Sequence, residues 1–69
     1  MARIRIKCID VEVLSGGEVL IYTSGAGGEE KLQAHQSLTG DLSFRPDRSD
    51  PLLLFPGERI IIECKARTD

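Results

Sequence analysis

The chain has few of the side chains that bind metals or stack on nucleotide bases. Its 69 residues include two cysteines, one histidine, one tyrosine, two phenylalanines and no tryptophan. Two cysteines and one histidine fall short of the four ligands of a structural zinc site, so we expect no metal and no cofactor. We interpret Cys8 and Cys64 as buried free thiols, as is usual in a reducing compartment, and leave a disulfide between them open.

The chain also lacks long apolar runs. None approaches the roughly 20 residues that span a bilayer, and the first residues do not form the apolar stretch of a secretory signal. We therefore expect a soluble, cytoplasmic protein without membrane contact. The formal net charge of -2, from 9 Lys+Arg and 11 Asp+Glu, argues against binding to phosphate backbones unless the cations are concentrated on one face.

A chain of this length has room for one domain, which we assign to residues 1–69. A domain so small buries only about 60% of the surface that its unfolded chain exposes, and a disulfide, a metal or another subunit is the usual additional source of stability. Because the chain allows one disulfide at most and has no zinc site, self-association is the source that we favour.

The two ends of the chain follow the same pattern. In residues 3–8 and 59–67, apolar side chains stand at even positions and mostly charged ones at odd positions. Side chains alternate between the two faces of a strand, so each segment has one face to bury and one to hydrate. With glycine and proline turns at short spacing between the other apolar segments, this pattern predicts an all-β fold. We expect a small five- or six-stranded barrel or sandwich in which the N- and C-terminal strands are adjacent.

Two turns in the first half of the chain predict hairpins. Glycines 16–17 favour a tight loop, and a hairpin closed there sets Val13 opposite Leu20. Residues 29–38 have good helix propensity but alternate between apolar and polar positions. We favour a strand there, paired with residues 42–44 in a second hairpin, and leave a helix as the alternative.

The sequence has no motif typical of catalysis. The glycine-rich residues 25–28 lack the Gly-Lys-Ser/Thr ending of a phosphate-binding P-loop and the third glycine of a dinucleotide fingerprint. His35 lies near Ser37, Asp41 and Ser43 in sequence, but a hydrolytic triad is recognised by geometry and not by such proximity. We assign no catalytic residue and expect that the protein is not an enzyme.

Most of the cations fall at odd positions of the two terminal segments. If those segments are neighbours, the cations share one solvent-facing surface, which we interpret first as a hydrated strand face that discourages aggregation. The alternative is an anion-binding or nucleic-acid face, although neither segment contains an aromatic residue to stack on bases. The candidate basic face consists of Arg3, Arg5, Lys7, Arg59, Lys65 and Arg67.

The most continuous apolar segments suggest an interface. Continuous apolar runs belong to strands that are covered on both faces, and so short a chain has too little material to cover every face twice. We therefore predict a small non-enzymatic protein-binding or assembly module, an accessory or structural subunit that associates with itself or another protein. The candidate interface residues are Leu52, Leu53, Leu54, Phe55 and Ile61.

Overall fold

The computed structural model describes residues 2–67 as an all-β fold without helices in that range. Seven strands form, one more than the upper number expected, and the all-β prediction is confirmed. The strands are β1 (Ile4–Ile6), β2 (Ile9–Val13), β3 (Gly17–Ser24), β4 (Glu30–Gln36), β5 (Gly40–Phe44), β6 (Leu52–Leu54) and β7 (Arg59–Ala66).

The strands form three small antiparallel sheets. The central sheet has the order β4-β3-β7, and two-stranded ribbons are formed by β1 with β6 and by β2 with β5. No closed barrel is present among the described residues, so the barrel or sandwich is not confirmed. The first and last strands belong to different sheets, which leaves their predicted adjacency unconfirmed as well.

The buried centre of the molecule lies on β3. Its apolar residues recur every second position, and Val19 and Ile21 are the hydrophobic residues of the described chain that are buried. Ile21 has Ala34 of β4 and Ile62 of β7 as its neighbours across the sheet, so apolar side chains flank it on both sides. A core of this size gives a single chain little hydrophobic stabilisation.

The segment 29–38, for which helix and strand were alternatives, forms the edge strand β4. Its register against β3 shifts by one residue between Ile21 and Tyr22, so Gln33 is an additional residue in the ladder. The Gln33 Nε2 group donates a hydrogen bond of 3.0 Å to Thr23 Oγ1. The alternating pattern therefore predicted the strand correctly, whereas the helix propensity of the individual residues predicted the wrong structure.

Both predicted hairpins are wrong in their pairing, although the turns are present. Gly16 adopts a positive φ of 62°, yet β2 does not pair with β3: Val11 lies opposite Leu42, and Val13 lies opposite Gly40, in β5. Strand β4 likewise pairs with β3 instead of β5. A turn signal specifies where the chain bends, but the partner of a strand is chosen by which apolar faces can be covered together.

The molecule is flat and extended. Its dimensions are 43 × 25 × 16 Å and its radius of gyration is 13.2 Å, whereas about 11 Å is usual for a compact domain of 69 residues. The three sheets are therefore spread over an elongated body instead of closing around one core.

Candidate functional site

The six predicted cations of the basic face are distributed over two sheets. Arg5 and Lys7 belong to β1 and the residue that follows it, while Arg59 and Lys65 share one face of β7. Arg67 follows β7, and its Nη1 group donates a 3.0 Å hydrogen bond to the Ser37 carbonyl. Arg3 directly precedes β1. Arg5 and Lys7 are the two predicted cations that line one groove, and Arg59 and Lys65 stand near opposite ends of β7, so the structure does not gather the six residues on a single face.

Two of these cations join two others that the sequence reasoning did not select. Arg5 and Lys7 line a groove of about 630 Å³ together with Arg45 and Arg48, which we call the basic groove. The remaining lining residues are Ile6, Pro46, Asp47 and Pro51. Residues 45–51 looked like an exposed polar loop in the sequence, and only the pairing of β1 with β6, which follows this loop, brings its two arginines beside β1.

The cations of the basic groove have little compensation from carboxylates. Within the described residues, the only contact of 4.0 Å or less between a basic side chain and a carboxylate joins His35 and Glu18, so none of the four cations has a carboxylate at that distance. The one acid in the lining, Asp47, instead accepts a 3.1 Å hydrogen bond from the Ser49 backbone N–H through Oδ1. Its carbonyl accepts another from the Asp50 N–H at 3.0 Å, and both bonds fix the turn of the loop.

A polar cluster lies on the exposed face of the β2–β5 ribbon. The Ser43 hydroxyl donates to Asp10 Oδ1 at 2.6 Å, and the Cys8 thiol donates to the same oxygen at 3.2 Å. The bond from Ser43 and then that from Cys8 lower the pKa of Asp10, and nearby Arg45 adds to this effect. The bond to Asp10 raises the pKa of Cys8 in turn, which keeps this thiol protonated and weakly nucleophilic.

The structure does not bring the histidine to the serine and aspartate that follow it in sequence. His35 Nε2 lies 2.9 Å from Glu18 Oε2, across the β3–β4 ladder. The Ser43 hydroxyl instead donates a hydrogen bond to Asp10 within the β2–β5 ribbon. Both cysteines are free thiols; Cys8 is half-buried and Cys64 is exposed, so the prediction that both are buried is wrong.

The predicted interface residues are covered to different degrees. Strand β6 is half-buried at all three positions, as is Ile61 in β7, and Phe55 is 42% exposed. More exposed are Leu14 at 76% and Leu38 at 69%, which the sequence reasoning passed over because they stand singly beside turns and outside continuous apolar runs. Ile4 is 60% exposed, so the expectation that the even positions of residues 3–8 form a buried face is wrong at this residue.

The two most exposed leucines lie at one end of the molecule, which we call the leucine end and define by Leu14 and Leu38. Val13 and Gly40 are opposite each other in the β2–β5 ribbon, so the residues just beyond them are close in space. Arg67 joins the same region, because its backbone N–H donates to the Gly16 carbonyl at 2.9 Å and its side chain reaches the segment that precedes Leu38.

The β1–β6 ribbon lies at the opposite end of β3. A cleft of about 250 Å³ separates Leu52–Leu54 from Thr23, Ser24 and Gly25, where β3 ends. Ile4 is paired with Leu54 in this ribbon, and Phe55 follows directly. The molecule therefore exposes apolar side chains at both ends of its central strand.

Within residues 2–67 no three histidine, cysteine, aspartate or glutamate side chains gather as metal ligands would, and no helix of that range is long and apolar enough to cross a bilayer. Comparison with protein-family models, curated proteins and solved structures finds no match to this chain.

Proposed function

We propose that the protein is a small non-enzymatic assembly module that associates with a second copy of itself, and that it serves as an accessory or structural subunit. The proposal is supported by surface area, by the form of one sheet edge and by the positions of the exposed apolar residues.

The observation that carries the proposal is the accessible surface of the single chain. It amounts to 5191 Å², while a folded monomer of 7.6 kDa exposes about 4,300 Å². The excess of roughly 900 Å² is close to the ~800 Å² that each partner buries in a stable protein–protein interface. A second copy of the chain is a partner of the size needed to cover it.

The outer edge of β7 is the edge best suited to meet that copy. It pairs with β3 without a register shift over eight residues, whereas the opposite edge strand, β4, contains the bulge at Gln33 and begins beside Glu29 and Glu30. Bulges and charges are the devices that protect an edge from pairing. Strand β7 has no bulge, and Ile62 on it is 52% exposed. It also carries charges, but Arg59 and Glu63 are of opposite sign and can pair with each other across two copies.

The charges on β7 favour one register between the two copies of this strand. Two copies of β7 related by a two-fold axis run antiparallel, and residues that face each other must lie on the same side of the sheet. An axis at Ile61 sets Arg59 of each copy opposite Glu63 of the other and makes Ile60 face Ile62. The interface then has two opposite-charge pairs around three isoleucines of each chain, and a continuous six-stranded sheet results.

The same register brings the exposed apolar ends together. When this register is continued beyond the strand, Phe55 of one copy lies opposite Arg67 of the other. Arg67 donates hydrogen bonds to backbone carbonyls around the leucine end. Leu14 and Leu38 of one copy then meet Phe55 of the second. Both predicted interface residues that lie along this path, Phe55 and Ile61, take part in the proposed contact.

Sedimentation equilibrium across the micromolar range tests the proposal. We expect a concentration-dependent mass that approaches two chains. A folded species that stays at the mass of one chain throughout that range would contradict it.

A further inference from the structure

We propose that the basic groove binds an anion that carries two or more phosphate groups in close succession. The groove lies beside β1 and the loop at residues 45–51, away from the outer edge of β7, so this inference does not depend on the proposed self-association.

Two separate parts of the chain supply the cations, and the backbone of each part is ordered by pairing or by a turn. Arg5 is fixed in β1 by its position opposite Leu53. On the other side, Arg45 directly follows β5, and Arg48 lies in a turn between Pro46 and Pro51 in which Asp47 accepts the two backbone hydrogen bonds described above. Cations on an ordered backbone lose less backbone freedom when an anion binds than cations on a mobile segment would.

The local charge is opposite to that of the chain as a whole. The lining includes four cations and one acid, in a protein whose formal charge is -2. The cations have no carboxylate within ion-pair distance among the described residues. Asp10 is near Arg45, since the arginine lowers the pKa of that carboxyl, but its Oδ1 accepts bonds from Ser43 and Cys8. A groove with such an excess of positive charge attracts anions from solution.

The residue types indicate phosphate groups. Arginine guanidinium groups bind phosphate oxygens through two parallel N–H donors, and three of the four cations are arginines. The volume of about 630 Å³ lies within the usual range for ligand sites and exceeds what one phosphate fills. The lining contains no aromatic residue, so bases have no stacking surface and recognition rests on the phosphates.

Free oligophosphates and the backbone of a single-stranded nucleic acid share this chemistry. Titration of the isotope-labelled full chain with inorganic tripolyphosphate and with a short oligothymidylate, followed by amide NMR at low salt, distinguishes the two sources. We expect saturable shifts centred on residues 5–7 and 45–48. Shifts with tripolyphosphate alone identify a compact free anion as the ligand, and shifts with the oligothymidylate identify a nucleic-acid backbone. No shifts with either probe, or shifts spread evenly over all lysines and arginines, overturn the proposal.

Single substitutions test the groove against the effect of net charge. Arg5→Gln and Arg48→Gln each remove one positive charge from one side of the groove, and both side chains are exposed, so we expect both variants to fold. Each loses at least about tenfold in affinity for the probe that binds, since a charge-assisted hydrogen bond is lost. The control is Lys65→Gln, which removes the same charge from β7 and is expected to change the affinity less than threefold. An equal loss in all three variants would refute the site, and the titration of the unchanged protein decides the matter even if a variant fails to fold.

Discussion

Ser43 Oγ lies 2.6 Å from Asp10 Oδ1, and the two residues are directly opposite each other in the β2–β5 ribbon. This bond is formed with the ionised carboxylate and is the largest reason why the pKa of Asp10 is below its ordinary value of 3.8. A depressed folded-state pKa stabilises the protein at pH values above the unfolded pKa. The stabilisation is lost as the pH falls through the folded pKa.

The first prediction concerns Ser43→Ala. We expect this variant to raise the pKa of Asp10 towards its ordinary value and to lose less stability than the wild type when the pH falls below about 4. Side-chain carboxyl NMR titration measures the pKa, and urea midpoints at neutral and acidic pH measure the stability.

A matched control for this prediction is Ser49→Ala. Ser49 bonds to Asp47 through its backbone N–H, which alanine retains. The pKa of Asp10 should be the same in this variant as in the wild type. A Ser43→Ala protein with the wild-type pKa at Asp10 would show that the hydroxyl does not act on the carboxylate.

The second prediction concerns the reactivity of Cys8. Asp10→Ala removes the carboxylate whose hydrogen bond with the thiol and, to a smaller degree, whose charge raise the pKa of Cys8. More thiolate is then present near neutral pH, and alkylation by iodoacetamide becomes faster, by roughly two- to fivefold. Mass spectrometry of the modified peptides measures the rate. Cys64 is exposed on β7 and is an internal control whose rate should be the same in both proteins. Equal rates at Cys8 in the two proteins would argue against the predicted coupling.

The third prediction tests the register proposed for the dimer. Arg59→Glu places like charges opposite each other twice in the interface, so we expect the dimer to weaken by roughly tenfold or more. The double variant Arg59→Glu with Glu63→Arg restores opposite charges in the reverse order and should recover most of the affinity. Sedimentation equilibrium measures both.

The double variant contains the same substitution at Arg59 as the single variant, so it separates a charge effect from damage to the fold. If it is as weak as Arg59→Glu alone, the two residues do not face each other across an interface, and another register or another surface must be sought. If neither variant changes the association, β7 is not the edge involved.

The fourth prediction concerns the core. Ile21 is 0% exposed, and shortening it to valine leaves a cavity between Ala34 and Ile62, so we expect a loss of about 0.5–1.5 kcal/mol in the free energy of unfolding. The same substitution at Ile4, which is 60% exposed, should change it by less than about 0.5 kcal/mol. Urea unfolding measures both values. Equal losses at the two sites would mean that Ile21 is not a centre of packing.

The local sequence pattern predicted the strands well, because side chains alternate between the two faces of a strand and this alternation is visible within a few residues. Residues 59–66 and 30–36 alternate in the sequence and are the strands β7 and β4 in the structure. The pairing could not be read in the same way. Val11 and Val13 fit equally well opposite β3 or β5, and the choice depends on how all the apolar faces are covered at once.

The candidate site was less accessible to sequence reasoning. Arg5 and Lys7 stood out because they alternate with isoleucines, whereas Arg45 and Arg48 lie in a loop without periodicity. Nearly forty residues separate the two groups in the chain. The two groups come together because β6 pairs with β1. No local sequence pattern in residues 45–51 predicts that pairing.

The position of β3 between β4 and β7 has a consequence for biosynthesis. The central strand emerges from the ribosome before both of its neighbours, and one of them, β7, is encoded some forty residues later. Until that segment has been translated, one side of the strand has unsatisfied backbone donors and acceptors, and such nascent species are prone to aggregate. Slow translation of the segment between β3 and β7, or truncation of the chain before Arg59, should therefore lower the yield of native protein.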